Sequence, residues 1–417
     1  MRILVPAVAA VEWRDGAHHR PPVTVPFAVP TARWTRAFPL GCEVSGMETG
    51  RSRSQSRSES RSQPHVRILS TGGTIASTGE SETSGKTPTR TGDELVEAVP
   101  ELADYATVSV ETVCQRSGFQ ITAEQATAIV DAAERAAEDG VTGVVVTHGT
   151  DTMAESAYYL DLVSAADVPV VFTGAQRPFD QPGTDGPANL LTAVQTVVDD
   201  RFRSGSYLAF NDAVHAARWV RKSHTSKLET FASPGAGPVA ERTPNGLRTF
   251  REPRSYSDAA AIPDAGARID ADVRVELVTN AMGVDGRQVE RALDDGTADG
   301  FVLAGTGLGN ATGELGATLE SAIDAGYPVV LTSRCHAGSS AGLYGGPGGG
   351  RTLLDAGAIS GGDLPPWKAR VKTELVLSAG GAGETGANSD QSLDADANAG
   401  TPHERVAAAF DGVESVV

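Results

Sequence analysis

The chain has 417 residues, of which 53 are Asp or Glu and 35 are Lys or Arg, so its formal net charge is −18. This length suits two or three domains with sizeable cores, and a hydrophobic content of 40% excludes a wholly disordered chain. The negative charge argues against nucleic acid or an anionic membrane as a partner, because both bind basic patches. No apolar run reaches the roughly 18 residues that a membrane-spanning helix needs.

The basic residues comprise only five lysines and thirty arginines. An acidic, Lys-poor, Ala- and Gly-rich chain resembles proteins of high-salt cytoplasm, where salt screens the self-repulsion of negative charge. The alternative is an ordinary acidic protein from a GC-rich genome. The three cysteines, Cys42, Cys114 and Cys335, are too widely spaced for a disulfide framework or a CxxC metal site. We expect no metal and no cofactor.

The first 65 residues differ from the rest of the chain. They contain nine arginines and five acidic residues, a local charge of +4, which leaves −22 for the remainder. The tract Arg51–Arg61 reads RSRSQSRSESR and predicts disorder. Translation from Met47 is an alternative that would leave most of this extension out. The apolar opening is followed by charged residues without a cleavage site, so we expect no secretory signal and a cytoplasmic location.

From Val66 onward the chain alternates strands and helices. A capping box at Thr122–Gln125 opens one helix, which places Ala126, Ile129 and Ala133 on a single face. The other predicted elements of this region are strands over 66–70, 107–113, 143–147, 168–173 and 207–210 and helices over 152–164 and 187–198. This alternation predicts βαβ units and a parallel sheet.

A Pro-, Ser- and Asp-rich stretch over 251–268 lacks periodicity and is predicted to be a linker. Beyond it we predict strands over 273–278, 301–304 and 328–332, helices over 284–293 and 314–325, an amphipathic helix over 364–377 and a solvated loop over 380–400. The predicted fold class is therefore α/β, with two α/β domains built on parallel sheets. The larger spans 66–250 and the smaller 269–417.

Two strand ends carry unusual runs of hydroxyls and glycines, Thr71–Ala76 and Thr147–Thr152. Ligands of doubly wound sheets bind at such carboxyl ends, and glycine lets backbone N–H groups approach a ligand. Neither segment is a P-loop or a GxGxxG motif. One such segment alone would equally suit a tight turn with a helix cap. Two in one domain favour a functional site.

A threonine hydroxyl needs a base or a hydrogen-bond network to act as a nucleophile. The candidate activators are Asp151, next to Thr150, and Lys222, past the end of a predicted strand. Composition alone favours a solvated surface role for Lys222. A buried Lys beside an Asp would instead have a lowered pKa and could relay protons.

Both segments resemble the two signatures of the L-asparaginase (asparaginase/glutaminase) family, closest to its bacterial-type branch. They read LSTGGTIA over 69–76 and VVTHGTDTM over 145–153. Further matches are GAQRP over 174–178, DGPANL over 185–190, and Asn211-Asp212 leading to Lys222. The resemblance runs from Val66 to the C-terminus.

The resemblance implies a hydrolase of L-asparagine in which Thr74 is the nucleophile. Thr150, Asp151 and Lys222 match a second cluster that moves protons and positions water, and Asp151 also matches the residue that binds the α-ammonium group. Some glutaminase activity is expected, because one methylene changes binding by only about 1–3 kcal/mol.

The substrate-binding positions also follow from the resemblance. Ser117 matches the serine that binds the α-carboxylate, and Gly118 stands where many members have Gln. Gly149 and Ala175 match positions whose backbone lines the amide pocket. His148 lies inside the second signature, where we favour a structural role in holding the loop.

One departure concerns the loop after the first signature. Many members carry a tyrosine there that bonds the nucleophile, but residues 75–104 contain none. A Ser, a Thr, a water, or Tyr344 of a neighbouring subunit would be alternatives. The family forms dimers and tetramers, so we expect a homo-oligomer, with Glu276, Asn280 and Ser333–His336 as candidates to complete a neighbour's site.

Two other functions share this fold. The asparaginase-like subunit of the archaeal Glu-tRNA(Gln) amidotransferase shares both signatures, but it usually carries a β-rich domain where this chain has a Pro- and Arg-rich extension, and a body charge of −22 suits tRNA poorly. A non-catalytic amino-acid-binding member would keep the fold but lose the chemistry residues, which are all present here.

The acidic composition generates a prediction about salt. At low ionic strength we expect the protein to unfold or dissociate, because unscreened carboxylates repel one another. Thermal unfolding measured from low to molar salt should show a rising melting temperature. A melting temperature that does not change with salt would contradict the high-salt interpretation.

Overall fold

A computed structural model of the protein describes residues 63–79, 85–257, 259–262, 266–379 and 400–413. The predicted disordered extension, up to residue 62, lies outside the described residues, and so does nearly all of the predicted loop over 380–400. Within the described ranges, no helix is long and apolar enough to cross a lipid bilayer.

The strands are β1 (His65–Gly72), β2 (Ser77–Thr78), β3 (Thr87–Pro88), β4 (Thr107–Arg116), β5 (Gly143–Thr147), β6 (Val170–Thr173), β7 (Ser206–Phe210), β8 (Ala213–Ala216), β9 (Arg221–Lys222), β10 (Phe231–Ala232), β11 (Ala240–Thr243), β12 (Gly246–Thr249), β13 (Val275–Thr279), β14 (Gly300–Gly305), β15 (Val329–Ser333) and β16 (Ile359–Ser360). The helices are α1 (Gly92–Glu97), α2 (Ala123–Glu138), α3 (Met153–Val163), α4 (Gly186–Val197), α5 (Arg287–Asp294), α6 (Gly313–Asp324), α7 (Gly350–Asp355), α8 (Pro366–Ala379) and α9 (Pro402–Phe410). The capping box predicted at Thr122 is present at the start of α2.

The larger sheet has eight strands in the order β12-β11-β8-β7-β6-β5-β1-β4. Strands β4, β1, β5, β6 and β7 are parallel to one another, which confirms the predicted α/β class. At the other edge, β8, β11 and β12 are antiparallel. The change of direction occurs at Asn211 and Asp212, whose φ angles of 49° and 62° form a two-residue hairpin turn. A loop this short can join only antiparallel strands.

The central strand β5 shows why the sheet is buried on both faces. Its residues are all buried, and its valines alternate between two cores. Val144 and Val146 pack in the core that includes α2 and α3, whereas Val145 packs in the core that includes α4. A continuous β-branched run is typical of a parallel strand covered by helices on both sides.

The smaller sheet is parallel throughout, in the order β13-β14-β15-β16. Helix α8 packs between this sheet and α3, so one hydrophobic core continues from the larger sheet into the smaller one. The prediction that α8 is amphipathic is wrong, because Lys368, Lys372 and Glu374 are all buried. Helix α9 was not predicted, although Thr401 and Glu404 form a capping box at its start. The domain boundaries at 250 and 269 stay a prediction.

Candidate active site

The two glycine- and threonine-rich segments emerge side by side. Strands β1 and β5 are adjacent and parallel, and Ser70 is paired with Thr147 in their register. The hydroxyl of Thr71 donates to the carbonyl of Thr147 at 2.8 Å, which joins the two strand ends. The segments that follow, with Thr74 and Thr150, therefore begin at the same edge of the sheet.

Three glycines bring the backbones of this edge into direct contact. A Cβ atom added at Gly149 would lie 2.3 Å from the nitrogen of Gly118 and 3.4 Å from the Cα of Gly73. A Cβ added at Gly73, whose φ is 78°, would lie 2.4 Å from the nitrogen of Gly149. No side chain fits between backbones this close. The contact brings together the segments that carry Thr74, Ser117 and Thr150, each of which follows or precedes one of the three glycines.

Thr74 begins a short 3-10 turn and is partly exposed. Two contacts hold this turn in place. Ile75 packs with Leu95 and Ala175, and the hydroxyl of Ser77 donates to the carbonyl of Gly73 at 2.8 Å. Among the described residues, none bonds the Thr74 hydroxyl. The backbone at Thr74 is thus held in place, and its side chain is partly exposed.

Lys222 joins Thr150 and Asp151 in one cluster, although it comes from a distant segment of the chain. Its Nζ donates to Thr150 Oγ1 at 2.8 Å and to Asp151 Oδ1 at 2.7 Å. Thr150 is buried, whereas the side chain of Asp151 is 51% exposed, so the cluster opens to solvent at its acidic end. Because Thr150 accepts from Lys222, its own hydroxyl proton is free to be donated elsewhere.

His148 is fully buried within the second segment. Its Nδ1 lies 2.7 Å from the carbonyl of Gly149 and its Nε2 lies 3.0 Å from the hydroxyl of Ser156. The carbonyl can only accept, so Nδ1 carries the proton and Nε2 accepts from Ser156. Burial lowers the pKa of His148 to about 4. This arrangement supports the structural role that we favoured, in which a neutral imidazole holds the loop.

Ala175 is buried at the end of β6, and two polar residues support its segment. The Asp185 carboxylate accepts from the N–H groups of Gln176 and Arg177, and the Asn189 side chain donates to the carbonyl of Gly174 at 2.9 Å. Sequence reasoning did not assign roles to Asp185 and Asn189. The signal was present, since Asp185 precedes a helix and Asn189 follows one turn later.

Ser117 is partly exposed and immediately precedes Gly118, whose carbonyl accepts from the Thr152 hydroxyl at 2.7 Å. Asn280, a candidate to complete a neighbour's site, is bonded to residues of its own chain, and its role in a neighbour's site stays a prediction. Its amide nitrogen bonds Thr306 and the Asn310 carbonyl, its oxygen accepts from Thr312, and it is 3% exposed. These hydrogen bonds lie within the C-terminal lobe, by which we mean the part of the structure from β13 to α9.

A cavity of about 670 Å³ lies behind the second segment, between the start of α2, α3 and α8. None of Thr150, Asp151 and Lys222 lines it. Glu155 of α3 does, and burial raises the pKa of its carboxyl to about 7, while Lys368 and Arg370 counteract that rise and Asp151 adds to it. Glu155 is thus a carboxyl whose charge is costly in the folded state.

Among the described residues, no group of three His, Cys, Asp or Glu side chains is arranged to hold a metal ion.

Two family models match the chain. The model "Asparaginase, N-terminal" matches residues 65–255, and "Glutaminase/Asparaginase C-terminal domain" matches residues 274–386. Together they cover more than half of the chain.

Individual proteins are similar over most of the chain. L-asparaginase 2 of Escherichia coli is 36% identical over 333 residues, covering 75% of this chain and 89% of that protein. A subunit of the glutamyl-tRNA(Gln) amidotransferase of Methanothermobacter thermautotrophicus is 35% identical over 322 residues, covering 75% of this chain and 72% of that protein. The crystal structure of a probable cytoplasmic L-asparaginase from Campylobacter jejuni matches with a TM-score of 0.70 and 28% identity, covering 84% of this chain and 99% of that one.

The glycine contact predicts a large effect of one methyl group. We expect Gly149→Ala to lower the free energy of unfolding by about 3 kcal/mol, because the new Cβ meets backbone that cannot move aside. Gly345→Ala is the control, since a Cβ there meets nothing within 4 Å. Chemical denaturation of both variants measures the difference, and equal stabilities would contradict the close contact.

Replacing Glu155 by a neutral residue is predicted to stabilise the protein at high pH. Its pKa is raised from 4.5 to about 7 in the folded state, so the folded protein binds more protons than the unfolded chain between these values, and stability falls as pH rises through this window. Glu155→Gln should therefore stabilise the protein by about 1–3 kcal/mol at pH 8, allowing for partial solvent screening.

At a pH of about 3.5, which is below both pKa values, that gain should disappear, because the carboxyl is then largely neutral in both states. Denaturation of wild type and Glu155→Gln at the two pH values, at one salt concentration, measures this. A gain that is the same at both would rule out the raised pKa as its cause.

Proposed function

Because the chain belongs to the asparaginase family, we propose that it hydrolyses the side-chain amide of L-asparagine to L-aspartate and ammonia, with Thr74 as the nucleophile. The observation that carries the proposal is the position of Lys222, whose ammonium group lies within hydrogen-bond distance of both Thr150 and Asp151. A hydroxyl nucleophile needs a group nearby that can take up its proton, and the cluster of Thr150, Asp151 and Lys222 offers such a group at the same sheet edge as Thr74.

The proposed reaction has two halves. In the first, Thr74 Oγ attacks the amide carbon, and backbone N–H groups, with that of Thr150 as one candidate, stabilise the oxyanion. The hydroxyl proton passes through the Thr150–Asp151–Lys222 cluster to the departing nitrogen, so that ammonia leaves and a β-aspartyl ester remains. In the second half, water adds to the ester carbon, and its proton returns to Thr74 as aspartate leaves.

In this proposal the two charged groups of the amino acid, its α-ammonium and its α-carboxylate, are bound at the edge of the cluster. The exposed side of Asp151 would bind the α-ammonium group, and Ser117 would donate to the α-carboxylate. The backbones at Gly118, Gly149 and Ala175 would line the amide pocket. A pocket of this kind discriminates against the extra methylene of glutamine by only about 1–3 kcal/mol, so minor glutaminase activity belongs to the proposal.

An amidotransferase component is the second candidate, because a relative of that description is 35% identical to the chain. Its activity would depend on a partner protein and on tRNA. The net charge of −18 disfavours it, since tRNA binding needs a basic surface. A non-catalytic amino-acid-binding protein is a third possibility, which the presence of Thr74, Thr150, Asp151 and Lys222 disfavours.

We further propose that the protein is a homo-oligomer, a dimer or a tetramer, in the cytoplasm. Large apolar side chains are exposed on the described part of the chain, and Phe119, 73% exposed, lies two residues from Ser117. Such exposure beside a site is typical of a surface covered by a second subunit. The cytoplasmic location is supported by the description of the Campylobacter jejuni structure.

Ammonia release from L-asparagine in molar salt tests the proposed function. We expect Thr74→Ala to lower kcat by about 10³-fold or more, because the attacking oxygen is lost, and Lys222→Met to lower it by about 10²–10⁴-fold, because proton transfer is lost. Lys227→Met is the matched control, a lysine exposed in the hairpin after β9.

Absence of release by the wild type at every salt concentration would exclude the asparaginase function. Release that requires a partner protein and tRNA would favour the amidotransferase. Full activity of Thr74→Ala would exclude Thr74 as the nucleophile.

A further inference from the structure

The turn that precedes Lys222 has backbone carbonyls that its own strands do not use. The turn spans Ala217–Val220, between β8 and β9. Its carbonyls accept from a single group, Nζ of Lys368, at 2.6 Å for Ala217, 2.6 Å for Val220 and 3.3 Å for Arg218. Lys368 belongs to α8, close to 150 residues away along the chain. A residue of the C-terminal lobe thus holds the backbone that leads to Lys222.

Lys368 is fully buried, with Nζ 5.4 Å from the ring centroid of Tyr158. Burial lowers the pKa of Lys368, as do the nearby cations Arg218 and Arg221, whereas Glu155 and Asp161 act in the opposite direction. Three carbonyl oxygens within hydrogen-bond distance need three N–H donors, which only the ammonium form supplies. Among the described residues, no carboxylate forms a salt bridge with it. Its partners are the turn carbonyls and a ring.

Two arginines, Arg218 within the turn and Arg221 just after it, also donate hydrogen bonds to the C-terminal lobe. The Arg218 guanidinium donates to the carboxylate of Asp363 at 2.5 Å and to the carbonyl of Val413 at 3.2 Å. Arg221 donates to the carbonyl of His336 at 2.6 Å and to that of Asp363. The turn and the residue after it are therefore bonded to the C-terminal lobe at several points, through Lys368, Arg218 and Arg221, all of which are buried.

We propose that Lys368 is a positioning residue for Lys222, an inference that rests on the proposed function. A lysine side chain has four rotatable bonds, so its ammonium group stays 2.8 Å from Thr150 only if the backbone beneath it is fixed. The antiparallel pair β9–β10 is two residues long and cannot fix that backbone alone. Arg218 and Arg221 hold this region through their side chains, whereas Lys368 binds the backbone carbonyls themselves and so constrains the path of the chain that leads to Lys222.

The experiment compares Lys368→Met with Lys372→Met. Methionine keeps the length and the apolar stem but removes all three donors. Lys372 is the matched control, because it lies one turn further along α8, is 1% exposed and has its Nζ 5.1 Å from the Phe410 ring centroid. Both variants remove one buried lysine from the same helix, so a general loss of packing affects them alike.

In ammonia release from L-asparagine, we expect Lys368→Met to lower kcat by about 10²-fold with a change in KM of less than about threefold, as a misplaced proton-transfer group would do. Lys372→Met should keep a kcat close to that of the wild type. In a Lys222→Met background, Lys368→Met should lower kcat no further, because the group that it positions is already absent. A merely structural role would lower kcat in both backgrounds.

Crystal structures of the two variants give a readout that does not require activity. In Lys368→Met the distance between Lys222 Nζ and Thr150 Oγ1 should lengthen beyond hydrogen bonding, whereas in Lys372→Met it should not. This separates the inference from the proposed function, which fails if the wild type releases no ammonia.

Unchanged kcat and an unchanged Lys222–Thr150 distance in folded Lys368→Met would overturn the inference. If that variant does not fold, Lys368→Gln, which keeps two N–H donors on a shorter chain, should show a smaller loss of kcat in the same direction. Failure of both variants to fold, with Lys372→Met folded, would also overturn it, because Lys368 would then be required for folding rather than for the placement of Lys222.

Discussion

Contact between three backbones at Gly73, Gly118 and Gly149 is the constraint on which the site depends. Adjacent parallel strands bring two of these segments to one edge, but strand spacing alone leaves room for side chains between the loops that follow. With no Cβ at these positions, the loops touch, and the residues next to the glycines become neighbours. The hydroxyl chemistry proposed for Thr74 and Thr150 presupposes this contact, because a proton passes between groups only over hydrogen-bond distances.

The site also requires that Lys222 be held in place, and residues of the C-terminal lobe do this. Lys222 reaches Thr150 and Asp151 from a two-residue strand, and the turn before it is held by Lys368, Asp363 and the carbonyl of His336. The core that continues through α3 and α8 makes this possible, since it fixes α8 against the helix that follows the second threonine segment. The larger lobe therefore carries the hydroxyls of Thr74 and Thr150, and the smaller lobe holds the backbone that leads to Lys222.

Local patterns predicted most of the strands and helices, whereas the roles proposed for the site residues came from the family resemblance. The valine run of β5 and the capping box of α2 each express a local preference, and both are present in the structure. The Asn211-Asp212 hairpin also had a local signal, but it was interpreted only as part of a family motif. The burial of Lys368 could not be predicted, because its partners are carbonyls of a turn distant in sequence, and a lysine in a helix otherwise indicates a solvated face.

The positions of the five lysines help to explain why the chain contains so few of them. Lys368 and Lys372 are buried, Lys222 lies in the cluster, and of the remaining two Lys86 is one-third exposed and paired with Asp180. Arginine covers the surface equally well, but a planar guanidinium cannot direct its donors at three carbonyls converging on one point. Three of the five lysines thus lie in the interior or in the cluster, where a compact, rotatable cation fits better than a guanidinium. Amine-directed acylation or tethering would accordingly address the hairpin at Lys227 first, which offers a nearly unique chemical handle on this protein.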